Sequence, residues 1–149
     1  MGLFGNKEKK IVLAGGVFDI IHPGHIHTLN AAKALGGILV VAIATDKTAQ
    51  KMKKRPPLHN QELRRELVSY LSMVDKAVIG HEDDIFETVK EIKPDIIVLG
   101  YDQIHQEKFI DDAENFLKQG KDENAVLSIG YADGLVDALR MAKGIDPKM

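Results

Sequence analysis

The apolar residues of this chain fall into short unbroken runs separated by stretches of helical spacing, and that alternation limits the possible folds more than any other feature. Runs occur at 11–14, 38–44, 77–79, 96–99 and 125–129, several of them rich in Val and Ile with no polar alternation. Strands buried on both faces, as in a parallel sheet, have this pattern. Between the runs, apolar residues recur at three or four positions: Ile26, Leu29 and Ala32; Leu63, Leu67 and Leu71; Ile85, Val89 and Ile92; Phe109, Ala113 and Phe116. Each set predicts a helix with one apolar stripe. Gly36 and Gly37, Asn60, Pro94 and Gly120 stand where such helices stop or are capped, and a last helix is expected over 133–143.

Strands alternating with helices predict an α/β fold, a single-domain doubly wound parallel sheet covering residues 10–149, with residues 1–9 as a flexible lead-in. Ligands of such a sheet bind beyond the carboxyl ends of the strands, so the loops there should carry the chemistry. Two loops stand out. Residues 15–24 are rich in glycine and histidine, and residues 45–57 form a long connection carrying Lys47, Lys51, Lys53, Lys54 and Arg55.

Composition excludes several functions. Twenty basic against twenty-two acidic residues give a net charge of −2, which supplies no general field for nucleic acid or an anionic membrane. Any anion site must therefore be local. The absence of cysteine removes disulfides, thiolate metal sites and cysteine nucleophiles. No apolar run approaches the roughly 20 residues of a membrane-spanning helix, and a cytoplasmic protein is expected.

In the stretch GGVFDIIHPGH, residues 15–25, two glycines follow the first strand where the backbone must turn and a ligand can approach without meeting a Cβ. His22 and His25 flank Pro23 and Gly24, at the expected start of the first helix. Unpaired amides, the positive helix end and two imidazoles together favour phosphate. Either histidine could instead cap the helix or fill a gap. A metal site using His22, His25 and His27 is a rival, although residues two apart on a helix diverge and no carboxylate is spaced to complete a zinc site. His27 is expected at the surface.

This stretch resembles the Gly-x-Phe-Asp-x-x-His-x-Gly-His signature of the cytidylyltransferase-like nucleotidyltransferases, and the similarity extends over residues 11–103, through KPDIIVLGYDQ at 93–103. The resemblance implies a Rossmann-like nucleotidyltransferase that joins a nucleoside monophosphate to a phosphorylated small molecule and releases pyrophosphate, without a covalent intermediate. It implies catalytic roles for His22 and His25 at the α-phosphate and for Lys54, with Lys47, Lys51 and Arg55 as substitutes. It places Gly15, Gly16, Val17, Phe18, Gly24, Gly100, Asp102 and Ser128 at the nucleotide, and Asp19 and Arg64 at the acceptor. Asp19 could instead be a turn former, and Arg64 a surface partner of Glu62 or Glu66.

Many relatives hold the β- and γ-phosphates with a Ser/Thr-rich turn near the carboxyl end. Here that region reads LSIGYADGLVDAL, residues 127–139, leaving Ser128 and the backbone at 130–133 for the task, with Asp133 repelling a triphosphate unless a cation intervenes. Magnesium is expected, bound mainly through substrate phosphates. Within the family, HPGH with the 54–57 loop and KPDIIVLGYDQ looks most like the archaeal FAD synthases, which implies ATP and FMN as substrates. Glycerol-3-phosphate cytidylyltransferases, which use CTP, are also similar, and a non-catalytic nucleotide-binding module is the reading from another class. A homodimer is possible, with 109–117 as an apolar contact.

Overall fold

The computed structural model describes residues 8–82, 85–100 and 126–130. Five strands form one parallel sheet: β1 (Lys10–Gly16), β2 (Gly37–Ile43), β3 (Lys76–Ile79), β4 (Ile96–Gly100) and β5 (Val126–Gly130), in the order β3-β2-β1-β4-β5. Between them run α1 (Pro23–Gly36), α2 (Asp46–Lys53), α3 (Gln61–Ser69) and α4 (Ile85–Ile92). This is the doubly wound α/β architecture, with the direction of strand succession reversing between β1 and β4. The crevice at that reversal, beyond the carboxyl ends of the strands, is where such sheets bind ligands.

The unbroken apolar runs are explained by burial on both faces. Val12, Ala14, Leu39, Val41, Ile43, Ile96 and Val98 join Leu29 and Ala32 of α1 and Val68 of α3 in one apolar cluster. The alternate residues Leu13, Val40, Ala42 and Ile97 are buried as well. Because side chains alternate across a strand, the second set belongs to the other face.

Two carboxylates fix the amino ends of the strands. Immediately before β3, the Asp75 amide donates to the Leu39 carbonyl at 2.9 Å while its carboxylate accepts the Leu39 amide at 2.7 Å. Immediately before β4, Asp95 makes the same reciprocal pair with Ile11, both bonds 2.8 Å. Each aspartate extends its strand's pairing by one residue. Lys33 of α1 also bonds Asp75 at 2.5 Å.

Two expectations need correction. The connection 45–57 is not all loop, because Thr45 caps the two-turn α2 by accepting the Thr48 amide. In α3 the apolar stripe is out of phase with the core: Leu63 and Leu67 are exposed, and the buried positions are Arg64 and Val68. The helices expected around 109–116 and over 133–143, the dimer contact at 109–117 and residues 1–7 of the lead-in lie outside the described residues. Among the described residues, no helix is long and apolar enough to cross a membrane.

Hydrogen bonding to Lys33, foremost, and to the Leu39 amide holds the Asp75 carboxyl below its ordinary value, against the opposing effect of burial. A carboxyl depressed in the folded state stabilises above its unfolded pKa of about 3.9, and that stability is lost as pH falls through the folded value. Asp75→Asn should therefore lower the midpoint of urea unfolding at neutral pH by the equivalent of about 1 kcal/mol. It should also flatten the loss of stability below about pH 4. Unfolding curves of the two proteins across that range test both effects.

Candidate active site

Gly15 and Gly16 are the last residues of β1, paired with Ala42 and Ile43, so the strand runs two residues further than its apolar run. The chain then turns at Phe18, which has a left-handed φ of 53°. An L-residue there costs of order 1–3 kcal/mol and persists only where its surroundings over-determine it. Here the Phe18 ring is buried in the core, and its edge would lie 2.8 Å from a Cβ on Gly16, so only glycine fits at that strand end.

The turn delivers His22 to the start of α1 as its N-cap. The His22 Nδ1 accepts the Gly24 amide at 3.1 Å, and the His25 Nδ1 accepts the His22 amide at 3.3 Å. The rings stack with centroids 3.9 Å apart, and Phe18 packs on His25 at 5.0 Å. Capping and phosphate binding, rivals in the sequence, are compatible here, since the cap uses Nδ1 of His22 and not Nε2. A nitrogen that accepts an amide carries no proton, so each neutral ring bears its proton on Nε2. Two N–H donors therefore project from a helix N-terminus, the position at which anions bind. Burial, foremost, together with the neighbouring His22 and the charge of Lys53, pushes the His25 pKa down to about 4. That ring is neutral near pH 7.

Lys53 was missed as a candidate by the sequence argument, which singled out Lys54. It is exposed near the end of α2, and what marks it is its charge acting on His25, which no local sequence pattern encodes. Lys54 is exposed and forms the left-handed C-cap of α2, with φ 59°. Exposed Lys51 and Arg55 lie on the same connection, and Lys47 is 3.9 Å from Glu82.

Arg64 and Asp19, which the sequence reading assigns to the acceptor, both bond to the protein itself. The Arg64 side chain is fully buried, with Nε bonding the His59 carbonyl, Nη1 the carbonyls of Val17 and Ala44, and Nη2 the Asp46 carboxylate at 2.7 Å. It is not a surface partner of Glu62 or Glu66 either. In this conformation it supports the site from behind. Both Asp19 carboxylate oxygens accept backbone amides, from Leu58 at 2.8 Å and His59 at 2.9 Å. Burial, the largest influence, raises the Asp19 pKa, but these amides and the charges of His59 and Arg64 together bring it below its ordinary value. Exposed Ile20 and Leu58 flank this clasp.

Val17 is buried behind the turn. Gly100 ends β4 opposite Gly130, and Ser128 lies mid-strand in β5 opposite Val98. Asp102 and the turn at 130–133 beyond Gly130 lie outside the described residues. Among the described residues no group of three His, Cys, Asp or Glu gathers as a metal site, and His27 is exposed on α1.

Gly24 has a further constraint, since a Cβ there would lie 2.9 Å from Cε1 and 3.0 Å from Nδ1 of His22. Gly24→Ala should displace that ring and lower turnover about tenfold to a hundredfold, as misplacements of an ångström or less can do. Stability should change by less than about 1 kcal/mol, because alanine is the better helix former. Steady-state rates beside thermal unfolding measure the two effects; an unimpaired variant would show that ring placement is not limiting.

The sequence pattern of the cytidylyltransferase-like family matches residues 13–124, and that of a family of unknown function, DUF357, matches residues 105–145. The chain is 45% identical over 129 residues to an FAD synthase of Aciduliprofundum boonei, covering 87% of this chain and 85% of that one. An FAD synthase of Thermoplasma acidophilum is 46% identical over 132 residues, covering 89% and 90%. Over 92 residues the chain is 62% identical to an FAD synthase of Picrophilus torridus, which covers 62% of this chain and 66% of that protein. Among solved structures, a lipopolysaccharide core biosynthesis protein of Thermoplasma volcanium superposes with a TM-score of 0.69 at 44% identity, over 79% of this chain and 94% of that one. A pantoate-β-alanine ligase of Francisella tularensis, 17% identical with a TM-score of 0.54, covers 83% of this chain and 59% of that one and shares the fold. With the signature histidines at the head of α1 and the family pattern covering most of its length, the chain belongs to the cytidylyltransferase-like nucleotidyltransferases.

Proposed function

We propose that this protein is an FAD synthase, transferring AMP from ATP to FMN. The observation that carries the reading is the pair of stacked imidazoles at the head of α1, whose Nδ1 atoms are occupied by backbone amides, which leaves the protons on Nε2. The choice of FMN and ATP rests on the name FAD synthase carried by its archaeal relatives.

The FMN phosphate is ionised near neutral pH and attacks the α-phosphorus of ATP directly. One phosphorus–oxygen bond forms, the bond to the bridging oxygen of the β-phosphate breaks, and pyrophosphate leaves with the electron pair. No protein nucleophile is required, so the rate must come from positioning and from charge stabilisation. His22 and His25 donate to the α-phosphate oxygens, where charge redistributes as the bond breaks, and the helix end supplies partial positive charge without a proton transfer. The lysines of α2 and its C-cap, Lys53 and Lys54, attract the polyphosphate. The Nε2–H donors and lysines on this side of the site suit an anion and do not chelate a metal. Magnesium would therefore be held mainly by the triphosphate itself, and would supply neutralisation of its charge.

The exposed pair Ile20 and Leu58 favours FMN over a polyol phosphate. Both flank the clasp that leads into His22, and a planar isoalloxazine would bury apolar surface there that glycerol phosphate cannot. Gly15, Gly16, Val17, Phe18, Gly24, Gly100, Asp102 and Ser128 remain the proposed surroundings of the nucleotide.

The decisive experiment measures pyrophosphate release for the four nucleotides against FMN, glycerol phosphate and phosphopantetheine with magnesium present. ATP with FMN should be the productive pair. Release only with CTP and glycerol phosphate would overturn FAD synthesis, and no release with any pair would leave the nucleotide-binding module. Leu58→Ser should raise the KM for FMN about tenfold while leaving that for ATP unchanged. Equal KM values for FMN in both proteins would remove the apolar platform from the reading.

A further inference from the structure

The clasp between the signature turn and the segment before α3 includes a histidine that neither the family signature nor the sequence reading singles out. The His59 Nδ1 lies 2.9 Å from the backbone carbonyl of Asp19. A carbonyl only accepts, so Nδ1 bears the proton, and neutral His59 has the tautomer opposite to that of His22 and His25. The same residue donates its own amide to the Asp19 carboxylate at 2.9 Å and gives its carbonyl to Arg64 Nε at 2.9 Å. Arg64 Nη1 in turn holds the Val17 carbonyl at 2.8 Å.

These bonds close a circuit around one residue. Val17 and Asp19, on either side of Phe18, are held by Arg64 and His59, and Arg64 and His59 hold each other. Phe18 sits between the two anchors in its left-handed conformation, with its ring against His25. Relaxing either anchor lets the Phe18 turn return toward ordinary backbone geometry, and the ring that supports His25 moves with it.

We infer that His59 is a positioning residue for the nucleotidyl transfer: by donating from Nδ1 to the Asp19 carbonyl it locks the Phe18 turn and so aims the His25 imidazole. The inference rests on the reading of His22 and His25 as the groups acting at the α-phosphate. It assigns His59 no contact with substrate. The side chain is 39% exposed, so its removal leaves no large cavity in the core.

Three proteins and three measurements test it. In the wild type, ¹⁵N-detected histidine spectra at mildly alkaline pH should show His59 protonated on Nδ1 and His22 and His25 on Nε2; this requires no turnover and stands even if FAD synthesis proves wrong. His59→Ala should lower kcat at least tenfold while the KM for ATP changes less than about threefold, and the unfolding midpoint should fall only slightly. His59→Asn, whose amide NH₂ can take the place of Nδ1–H, should recover most of the lost kcat. An Nε2–H tautomer at His59, an unchanged kcat in His59→Ala, or equal losses in His59→Ala and His59→Asn would each overturn the inference. A wild-type protein that releases no pyrophosphate with any substrate pair would overturn the catalytic reading itself, leaving the tautomers to test the clasp alone.

Discussion

The site is organised around one buried cation. The Arg64 guanidinium is fully removed from solvent, yet it bonds three backbone carbonyls and the Asp46 carboxylate, drawn from the signature turn, the end of β2, the start of α2 and the residue before α3's cap. Burying a charge without such partners would cost several kcal/mol, so the four segments can meet only in the arrangement that satisfies it. Loops that would otherwise drift independently are thereby made a single body. The connections at the carboxyl end of the sheet behave as a frame, and the histidines stand on that frame.

The histidines illustrate how a backbone can set side-chain chemistry. Imidazole has two interchangeable nitrogens, and a ligand that needs a donor would find either tautomer in free histidine. By accepting amide hydrogens at both Nδ1 atoms, the first turn of α1 assigns the protons to Nε2 before any ligand arrives. The low pKa of His25 supports the same state, since a ring that resists protonation keeps its cap intact near neutral pH. The helix end and the two Nε2–H donors are thus set in place together before any ligand is bound.

Much of this was legible in the sequence, and the parts that were not share a cause. The five strands, the start of α1 at Pro23, the cap at Asn60 and the place of the histidines at the head of α1 follow from hydrophobic runs and local spacing, which are properties of neighbouring residues. The phase of α3 was misread because the stripe of Leu63, Leu67 and Leu71 carries more hydropathy than the stripe containing Arg64 and Val68. Tertiary hydrogen bonding to Arg64 outweighs that difference and turns Leu63 and Leu67 outward, while Leu71, beyond the end of α3, still packs against the core. Asp19 and Arg64 were singled out in the sequence, but not for the bonds they make. Their partners lie 39 or more residues away for Asp19 and as far as 47 for Arg64, and no local pattern encodes such pairings. The α2 helix was hidden by its charge, since a basic stretch reads as loop until the Thr45 cap is recognised.

The two ends of the sheet are finished in opposite ways. At the amino end, Asp75 and Asp95 close the first rungs of the ladder with their own carboxylates, so the edge is complete and asks nothing of the loops beyond it. The scaffold can therefore hold its register whatever is built at the other end. For a lineage that changes its substrates, this separates the inheritance of shape from the inheritance of chemistry: segments beyond the carboxyl ends can be lengthened, recharged or exchanged one at a time while the strands keep their alignment.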